Sequence, residues 1–435
     1  MKADIISEEL IKPSLPTPLV LRNYKISSFD QLRNPSYMSI ILCFPSNGTN
    51  NQSSQRGKLL KESLSKTLTQ VYPLAGRYVK ENLEVDCNDE GALFVETQVN
   101  CMLSEFLDAD DKVTQLCDHL VPHILESTTT PLFSIQFNKF TCGGDLIAIN
   151  CTHRIADGFS LFKFVEWWAT VCREGIDKLV DGHPSLDLPS LLPASQTIPD
   201  IKIGSRTNNV VTKIFVFNGE AISKLKAMVK AGGKRQLISD TVVVTAVIWR
   251  VLIKIAQARH GKLRPCVATH VLNLRGKTAL PVPRNAFGNF CNQAIARFVP
   301  SNGQSEVELH DLVGLLSDSI GKAYKDMVKV SRSGNDLFAS LVDVTKEISD
   351  EYNKKEGDIH RFTSVVQFPA YETSDFGWGK PILMGGGLVH VPEEMIYLWG
   401  RRDGKAIEAW ASMNEDDILL FQQHPDIIAS TIQTS

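Results

Sequence analysis

The hexapeptide His153-Arg154-Ile155-Ala156-Asp157-Gly158 joins a group that can take up a proton near neutral pH to a carboxylate four residues later. An unperturbed imidazole has a pKa of ~6.5, so a rigidly held histidine beside a cleft can act as a general base. The run before it, Leu146-Ile147-Ala148-Ile149, reads as a buried strand. After it, Phe159, Phe162, Phe164, Trp167 and Trp168 recur at helical spacing up to Cys172. His153 therefore stands at a strand end, where a side chain can be fixed and still face a cavity. Asp157 could fix the turn or lock the imidazole. The spacing by itself also arises by chance, and it would suit two metal ligands. No third ligand follows at helical or hairpin spacing, so no metal is expected. No serine occupies a Gly-x-Ser-x-Gly elbow, which disfavours a serine hydrolase.

About 220 residues further on stands Asp375-Phe376-Gly377-Trp378-Gly379-Lys380-Pro381. Alone, this is a tight aromatic turn, more structural than catalytic. Asp375 can satisfy backbone donors or pair with an arginine, and Trp378 packs rather than reacts.

Periodicity shows the elements that must hold these residues. After the polar stretch Asn47 to Arg56, read as a loop, Leu59, Leu60, Leu64 and Leu68 mark a helix that Pro73 ends. Tyr78-Val79 and Leu83-Glu84-Val85-Asp86 alternate like a hairpin. From Pro131 the period is two, with Phe133, Ile135 and Phe137 on one face, and Gly143-Gly144-Asp145 turns the chain into the strand that leads to His153. Pro184, Pro189, Pro193 and Pro199 lie in a stretch without clear period, which reads as a crossover at residues 183–208. Beyond it come a strand at 210–217, a helix at about 220–231, and an apolar core helix at about 241–259 capped by Ser239. A strand at 266–274, helices at about 306–330 and 336–352, and strands near Ile382, Met395 and Ile407 complete the chain. Strands and helices mix in both halves. The expected fold is α/β, with two mixed-sheet domains of similar size at residues 1–182 and 209–435.

The chain has 435 residues, 43% apolar and 22% charged, ordinary globular usage that excludes disordered and fibrous classes. Lys plus Arg number 46 against 49 Asp plus Glu, a formal charge of -3, so no broad positive field exists for nucleic acid. No apolar run approaches the ~18 residues that span a bilayer, and no membrane partner is expected. The N-terminal stretch lacks a basic-then-apolar leader. The terminal Ile432-Gln433-Thr434-Ser435 matches no peroxisomal or ER-retention tail, so the cytoplasm is the expected location. Nine scattered cysteines without a Cys-x-x-Cys pair argue against a disulfide framework and a structural zinc site. Asn47-Gly48-Thr49, Asn51-Gln52-Ser53 and Asn150-Cys151-Thr152 then match the N-glycosylation pattern by chance.

Taken together, the His153 and Asp375 motifs resemble the BAHD family of plant acyl-CoA-dependent acyltransferases, whose signatures are H-x-x-x-D-G near the middle and D-F-G-W-G towards the C-terminus. Tyr72-Pro73-Leu74-Ala75-Gly76-Arg77, Val85-Asp86-Cys87-Asn88-Asp89, Asn273-Leu274-Arg275 and Phe287-Gly288-Asn289 look like further family blocks, in family order. The resemblance thus runs over nearly the whole chain. The opening Ser7-Glu8-Glu9-Leu10-Ile11-Lys12-Pro13 and Pro16-Thr17-Pro18 is similar to the family's alkaloid and terpenoid O-acetyltransferases.

The resemblance implies two chloramphenicol-acetyltransferase-like domains joined by a long crossover, with a channel between them. The first would carry H-x-x-x-D and the second D-F-G-W-G. His153 would be the general base that deprotonates an acceptor hydroxyl as it attacks the thioester of acyl-CoA. That route needs no acyl-enzyme, no metal and no bound cofactor. The partners would be acyl-CoA as co-substrate and a small-molecule alcohol, and a monomer suffices. Asp157 would position the histidine's turn by pairing with Arg275. Gly158, Asp375, Phe376, Gly377, Trp378 and Gly379 would hold structure at a distance from the chemistry.

Two departures from the family pattern refine the expectation. Many members read Ser-Trp-x-Arg-Leu-Pro before D-F-G-W-G. Here Ser364-Val365-Val366-Gln367-Phe368-Pro369 lacks the tryptophan and the arginine, which suggests an apolar acceptor wall and leaves Ser364 and Gln367 as acceptor-side candidates. Ala286-Phe287-Gly288-Asn289-Phe290 does not match the Tyr-Phe-Gly-Asn-Cys block of anthocyanin malonyltransferases, so acetyl is the expected acyl group. Arg401-Arg402 keeps an acidic acyl group open. The expected activity is O-acetylation of a specialised-metabolite alcohol, an alkaloid or terpenoid. Transfer of a larger or acidic acyl group, N-acylation, and ligand binding without turnover are the alternatives.

Overall fold

The computed structural model describes residues 1–46, 50–109, 116–124, 129–179, 182–198, 201, 209–233, 237–330, 333–354, 356–387 and 394–431. The motif Asn47-Gly48-Thr49, the Asn51 side chain, positions 199–200 and 202–208 of the crossover, and the terminal Ile432 to Ser435 lie outside the described residues.

Strands β1 (Ala3–Ile11), β2 (Asn23–Lys25), β3 (Tyr37–Phe44), β4 (Arg77–Val79), β5 (Glu84–Asp86), β6 (Ala92–Val99), β7 (Phe133–Phe140) and β8 (Asp145–Thr152) precede the crossover. After it come β9 (Val210–Phe217), β10 (Cys266–Asn273), β11 (Cys291–Phe298), β12 (Asp358–Ser364), β13 (Leu383–Gly387), β14 (Met395–Gly400) and β15 (Ile407–Asn414). The longer helices are α1 (Asn50–Gln70), α2 (Gly158–Glu174), α3 (Gly219–Gly232), α4 (Asp240–His260), α5 (Leu309–Val330), α6 (Gly334–Lys354) and α7 (Glu415–Gln423).

One compact unit comprises Met1–Ile198, Val282–Phe290 and Phe368–Val391; the other comprises Pro199–Pro281, Cys291–Gln367 and Pro392–Ser435. This differs from the linear division expected at 182 and 209. The chain re-enters the first unit twice after the crossover, and Asp375 to Gly379 lie in the same unit as His153. The cause is a backbone ladder. β13 pairs antiparallel with β3, from Leu383 opposite Cys43 to Gly387 opposite Ser39. A side chain at Gly386 would put its Cβ 2.1 Å from Ser39 O, so glycine is required where the two backbones meet.

The first unit's main sheet runs β1-β6-β7-β8-β3-β13, with β6 and β7 parallel and the other neighbours antiparallel. Its centre, β8, is buried along its whole length. The period of two in β7 sorts its side chains. Phe133 meets the ring of Phe164 on α2, with centroids 4.6 Å apart. On the other face Gln136 and Asn138 donate side-chain N–H groups to His119 O (2.8 Å) and Leu120 O (2.9 Å), and Asn150 of β8 donates to Pro122 O (2.7 Å). Asn150 is fully buried, which removes that glycosylation match.

The expected polar loop at 47–56 is shorter than its composition suggests, because α1 has already begun at Asn50. Ser53 and Arg56 in its first turns both reach the buried carboxylate of Asp145, so tertiary pairing outweighs weak local propensity. Tyr78-Val79 and Glu84-Val85 pair as the alternation indicated, within a small sheet β2-β5-β4.

The second unit's sheet runs β11-β10-β12-β14-β15-β9, with β12 parallel to both β10 and β14. Apolar α4 supplies much of its core, including Val243, Val247, Ile248 and Trp249. Ser239 does occupy the N-cap of α4, but its side chain makes no capping bond. By length and composition α4 could cross a membrane, contrary to the expectation that no run comes close. Arg250 and Lys254 interrupt the run without making the helix polar, and 67% of the apolar window is buried in the core.

Candidate active site

His153 is the first residue past β8. Thr152 donates its backbone N–H to Leu132 O (2.9 Å), and His153 donates its own to Ser36 O (2.7 Å), so two neighbouring segments fix the strand end. The ring is half-buried, and its Nδ1 is enclosed without a hydrogen-bond partner. Burial, reinforced by the Arg33 guanidinium, lowers its pKa to about 4, opposed more weakly by its own backbone carbonyl, by Asp157 and by the Asn289 side chain. At pH 7 the imidazole is neutral and has a lone pair to offer.

Behind the strand end lies a buried polar network. Asn289 donates Nδ2 to His153 O (2.8 Å) and to Asp30 Oδ1 (2.7 Å), and its backbone N–H to the same Asp30 oxygen (2.9 Å). Asp30 Oδ2 accepts from Ser27 N (2.8 Å) and Ser27 Oγ (2.7 Å). Ser27 and Asp30 form the capping box of the short helix Ser28–Gln31. Burial raises the Asp30 carboxyl, and the bonds from Ser27 and Asn289 pull it back. With its two amide protons committed, Asn289 leaves Oδ1 enclosed and without a partner.

Asp157 is the N-cap of α2. Its Oδ1 accepts from Ser160 N (2.9 Å) and Ser160 Oγ (2.9 Å), and its Oδ2 from Phe290 N (3.0 Å). Ser160 Oγ also accepts from Gly288 N (3.0 Å). The block Phe287-Gly288-Asn289-Phe290 is thus clamped to the turn that follows His153. Asp157 thus caps the helix that starts at the turn after His153. Arg154 points elsewhere, its guanidinium 4.8 Å from the Tyr78 ring centroid. Gly158 opens α2, and a Cβ added there would meet nothing within 4 Å, so the helix start is left clear.

The second motif is a packed turn. Asp375 Oδ1 accepts from Gly377 N (2.8 Å) and Gly379 N (3.0 Å), and both glycines have positive φ. Arg173 donates to the Asp375 carbonyl rather than its carboxylate. Phe376 stacks on Trp378 at 5.6 Å and meets Trp168 of α2 edge-on at 4.9 Å. Arg56 lies 5.4 Å from the Trp378 ring. Just upstream, Phe368 meets the rings of Phe159 (5.7 Å) and Phe162 (5.1 Å) edge-on, forming an aromatic cluster.

Arg275, Ser364 and Gln367 belong to the second unit. There Arg275 N and Nη1 both donate to Asn273 Oδ1 (3.2 and 3.1 Å), Ser364 Oγ accepts from Val366 N (3.3 Å), and Gln367 is exposed. Periodicity missed Ser27, Asp30, Arg33 and Asn289, the last of which entered only through the family-like block Phe287-Gly288-Asn289. The Ser-x-x-Asp spacing of a capping box was the available signal for the first two. Nothing local marked the link from Asp30 to a residue 259 positions away.

The chain matches the Transferase family over residues 1–428. It is 33% identical over 435 residues to pelargonidin 3-O-(6-caffeoylglucoside) 5-O-(6-O-malonylglucoside) 4'''-malonyltransferase of Salvia splendens, covering 98% of this chain and 99% of that one. It is 34% identical over 429 residues to stemmadenine O-acetyltransferase of Catharanthus roseus, covering 95% and 94%. The crystal structure of vinorine synthase superimposes with a TM-score of 0.81 at 31% identity, covering 99% of this chain and 98% of that one.

Proposed function

Because the chain belongs to the BAHD family of acyl-CoA-dependent acyltransferases, we propose that it moves an acetyl group from acetyl-CoA to a hydroxyl of a plant specialised metabolite, with His153 as general base. The observation that carries this reading is the neutral imidazole, its pKa lowered to about 4, held at the end of a buried strand. Its Nε2 lone pair takes the hydroxyl proton as the oxygen attacks the thioester carbonyl. The tetrahedral oxyanion collapses, the carbon–sulfur bond breaks, and the departing CoA thiolate recovers the proton from the imidazolium. General-base assistance of this kind contributes about 100- to 10,000-fold, and holding both substrates in line contributes more.

Phe159, Phe162 and Phe368 support an apolar, ring-bearing acceptor, an alkaloid or terpenoid alcohol, over a strongly polar one. A malonyl group is the second reading, since one similar protein is a malonyltransferase and Arg401 and Arg402 are exposed cations. The same proposal has the enzyme acting as a cytoplasmic monomer, which size-exclusion chromatography and cell fractionation check.

Purified protein incubated with labelled acetyl-CoA or malonyl-CoA and a panel of alcohols and amines tests the assignment. Labelled ester from acetyl-CoA is the expected product. His153→Ala is expected to melt like the parent and to lose at least about 100-fold in turnover. Undiminished turnover in that variant would remove the mechanism. Ligand binding without any product would leave a binding protein.

A further inference from the structure

Asp30 does not reach the reacting centre, yet it decides which way the Asn289 amide can point. A carboxylate offers only acceptors. Its four contacts, Ser27 N–H, Ser27 O–H, Asn289 backbone N–H and Asn289 Nδ2–H, all come from donors. The NH2 end of Asn289 must therefore face Asp30, and its second proton goes to His153 O. Oδ1 is left enclosed and without a partner, on a residue already bonded to His153, whose Nδ1 is enclosed and without a partner as well. The ring is in reach of its own backbone carbonyl and of the Asn289 side chain, both of which favour a proton on it, and an amide oxygen turned to Nδ1 complements it only when Nδ1 carries the proton. Catalytic hydrogen bonds are often long in the free enzyme and tighten when substrate binds.

We infer that Asp30 is a positioning residue that sets the tautomer of His153 through Asn289, placing the proton on Nδ1 and leaving Nε2 free to accept the hydroxyl proton. The inference rests on the reading of His153 as the base. In Asp30→Asn the relay turns round. The oxygen of the new amide stays with the two Ser27 donors and its NH2 faces Asn289, whose backbone N–H loses its acceptor. Asn289 then flips, gives up its bond to His153 O and turns its own NH2 towards Nδ1. The ring proton moves to Nε2, the nitrogen that had to accept.

The test is nitrogen NMR at pH 7 on protein labelled with 15N-histidine, the His153 signals identified by their loss in His153→Gln. Wild type is expected to show a protonated Nδ1 and a bare Nε2, and Asp30→Asn the reverse. With acetyl-CoA and an alcohol that turns over, kcat of Asp30→Asn is expected to fall on the order of 100- to 1,000-fold, while KM for acetyl-CoA stays within about threefold. The swap Asp30→Asn with Asn289→Asp puts an acceptor beside Nδ1 again and is expected to restore the Nδ1–H signal and part of kcat. A wild-type spectrum with the proton on Nε2 overturns the inference, even if no variant folds. So does a folded Asp30→Asn protein with Nδ1–H and full kcat. Turnover surviving in His153→Ala sinks the base assignment instead, and the tautomer is still read from the spectrum.

Discussion

A histidine whose native pKa lies near 4 responds to acid in catalysis and in stability, and the two responses occupy different pH windows. In catalysis the neutral ring is the active form. The kcat/KM profile is therefore expected to be flat from neutrality down to about pH 5 and to fall through about pH 4, the value for the free enzyme. An acid limb at about 6.5 would show that the ring is not desolvated as described. In stability the depressed pKa means that the unfolded chain takes up a proton, near pH 6.5, which the native ring still refuses. Stability from this site is complete above about 6.5, declines as pH falls to about 4 and levels off below, a loss of up to about 3 kcal/mol. His270, also lowered by burial, works in the same direction. Urea titrations of wild type and His153→Gln at pH 7 and pH 5 separate the contribution: the substitution is expected to shrink the difference between the two curves. Asp157 tests another single-residue role. Asp157→Ala removes the N-cap of α2 and leaves the buried Phe290 N–H unpaired, so it is expected to cost roughly 2–4 kcal/mol in denaturant unfolding. Asp157→Asn keeps the cap to Ser160 and is expected to retain turnover per folded molecule within about tenfold. A fully stable but inactive Asp157→Asn would assign the carboxylate to the chemistry.

Among the elements, the segment 285–290 does more than its sequence advertises. It donates to Asp157 through Phe290 N, to Ser160 through Gly288 N, and to Asp30 and His153 through Asn289. Its shape depends on Gly288, whose φ of +133° lies where side chains are strained and whose Cβ would stand 2.7 Å from Leu188 Cδ1. Gly288→Ala is expected to destabilise the chain by about 1–3 kcal/mol and to lower kcat more than KM, as the clamp on the His153 turn loosens. Unchanged stability and kcat would show that the clamp is dispensable. Elements of this kind divide what a sequence can reveal from what it cannot. β7 and α2 were legible because a period of two or of 3.6 is written into the residues themselves, and β8 because a strand buried on both faces reads as an apolar run after a turn. The start of α1 was not, since Ser53 and Arg56 are held by Asp145 rather than by any local preference. Likewise His153 and Asp157 stood out as a spaced pair, whereas Asp30 and Asn289 meet only after the chain has folded.

At the scale of the molecule, the same limit displaced the domain boundary. Proline content marked a crossover near residue 183, and a linear chain would then divide there. Strand pairing does not respect that order: β13 joins β3 across about 340 residues, and the 282–290 segment returns to the turn after His153. Such ladders leave no local period, because their specificity lies in which backbones are free to pair. A consequence follows for any fragment. A polypeptide of residues 1–198 keeps β1, β3, β6, β7 and β8 but lacks β13, so β3, a strand buried over most of its length, becomes an open edge. It also lacks the donors Phe290 N and Asn289 Nδ2, which leaves the buried carboxylates of Asp157 and Asp30 short of partners. Such a fragment is expected to be insoluble, or soluble without a cooperative thermal transition by circular dichroism, while the full chain melts cooperatively. Separate expression of residues 282–391 cannot supply the missing strand alone, because that piece also contains β11 and β12 of the second unit's sheet. A soluble 1–198 fragment with a sharp melt would show that the first unit closes its sheet without β13.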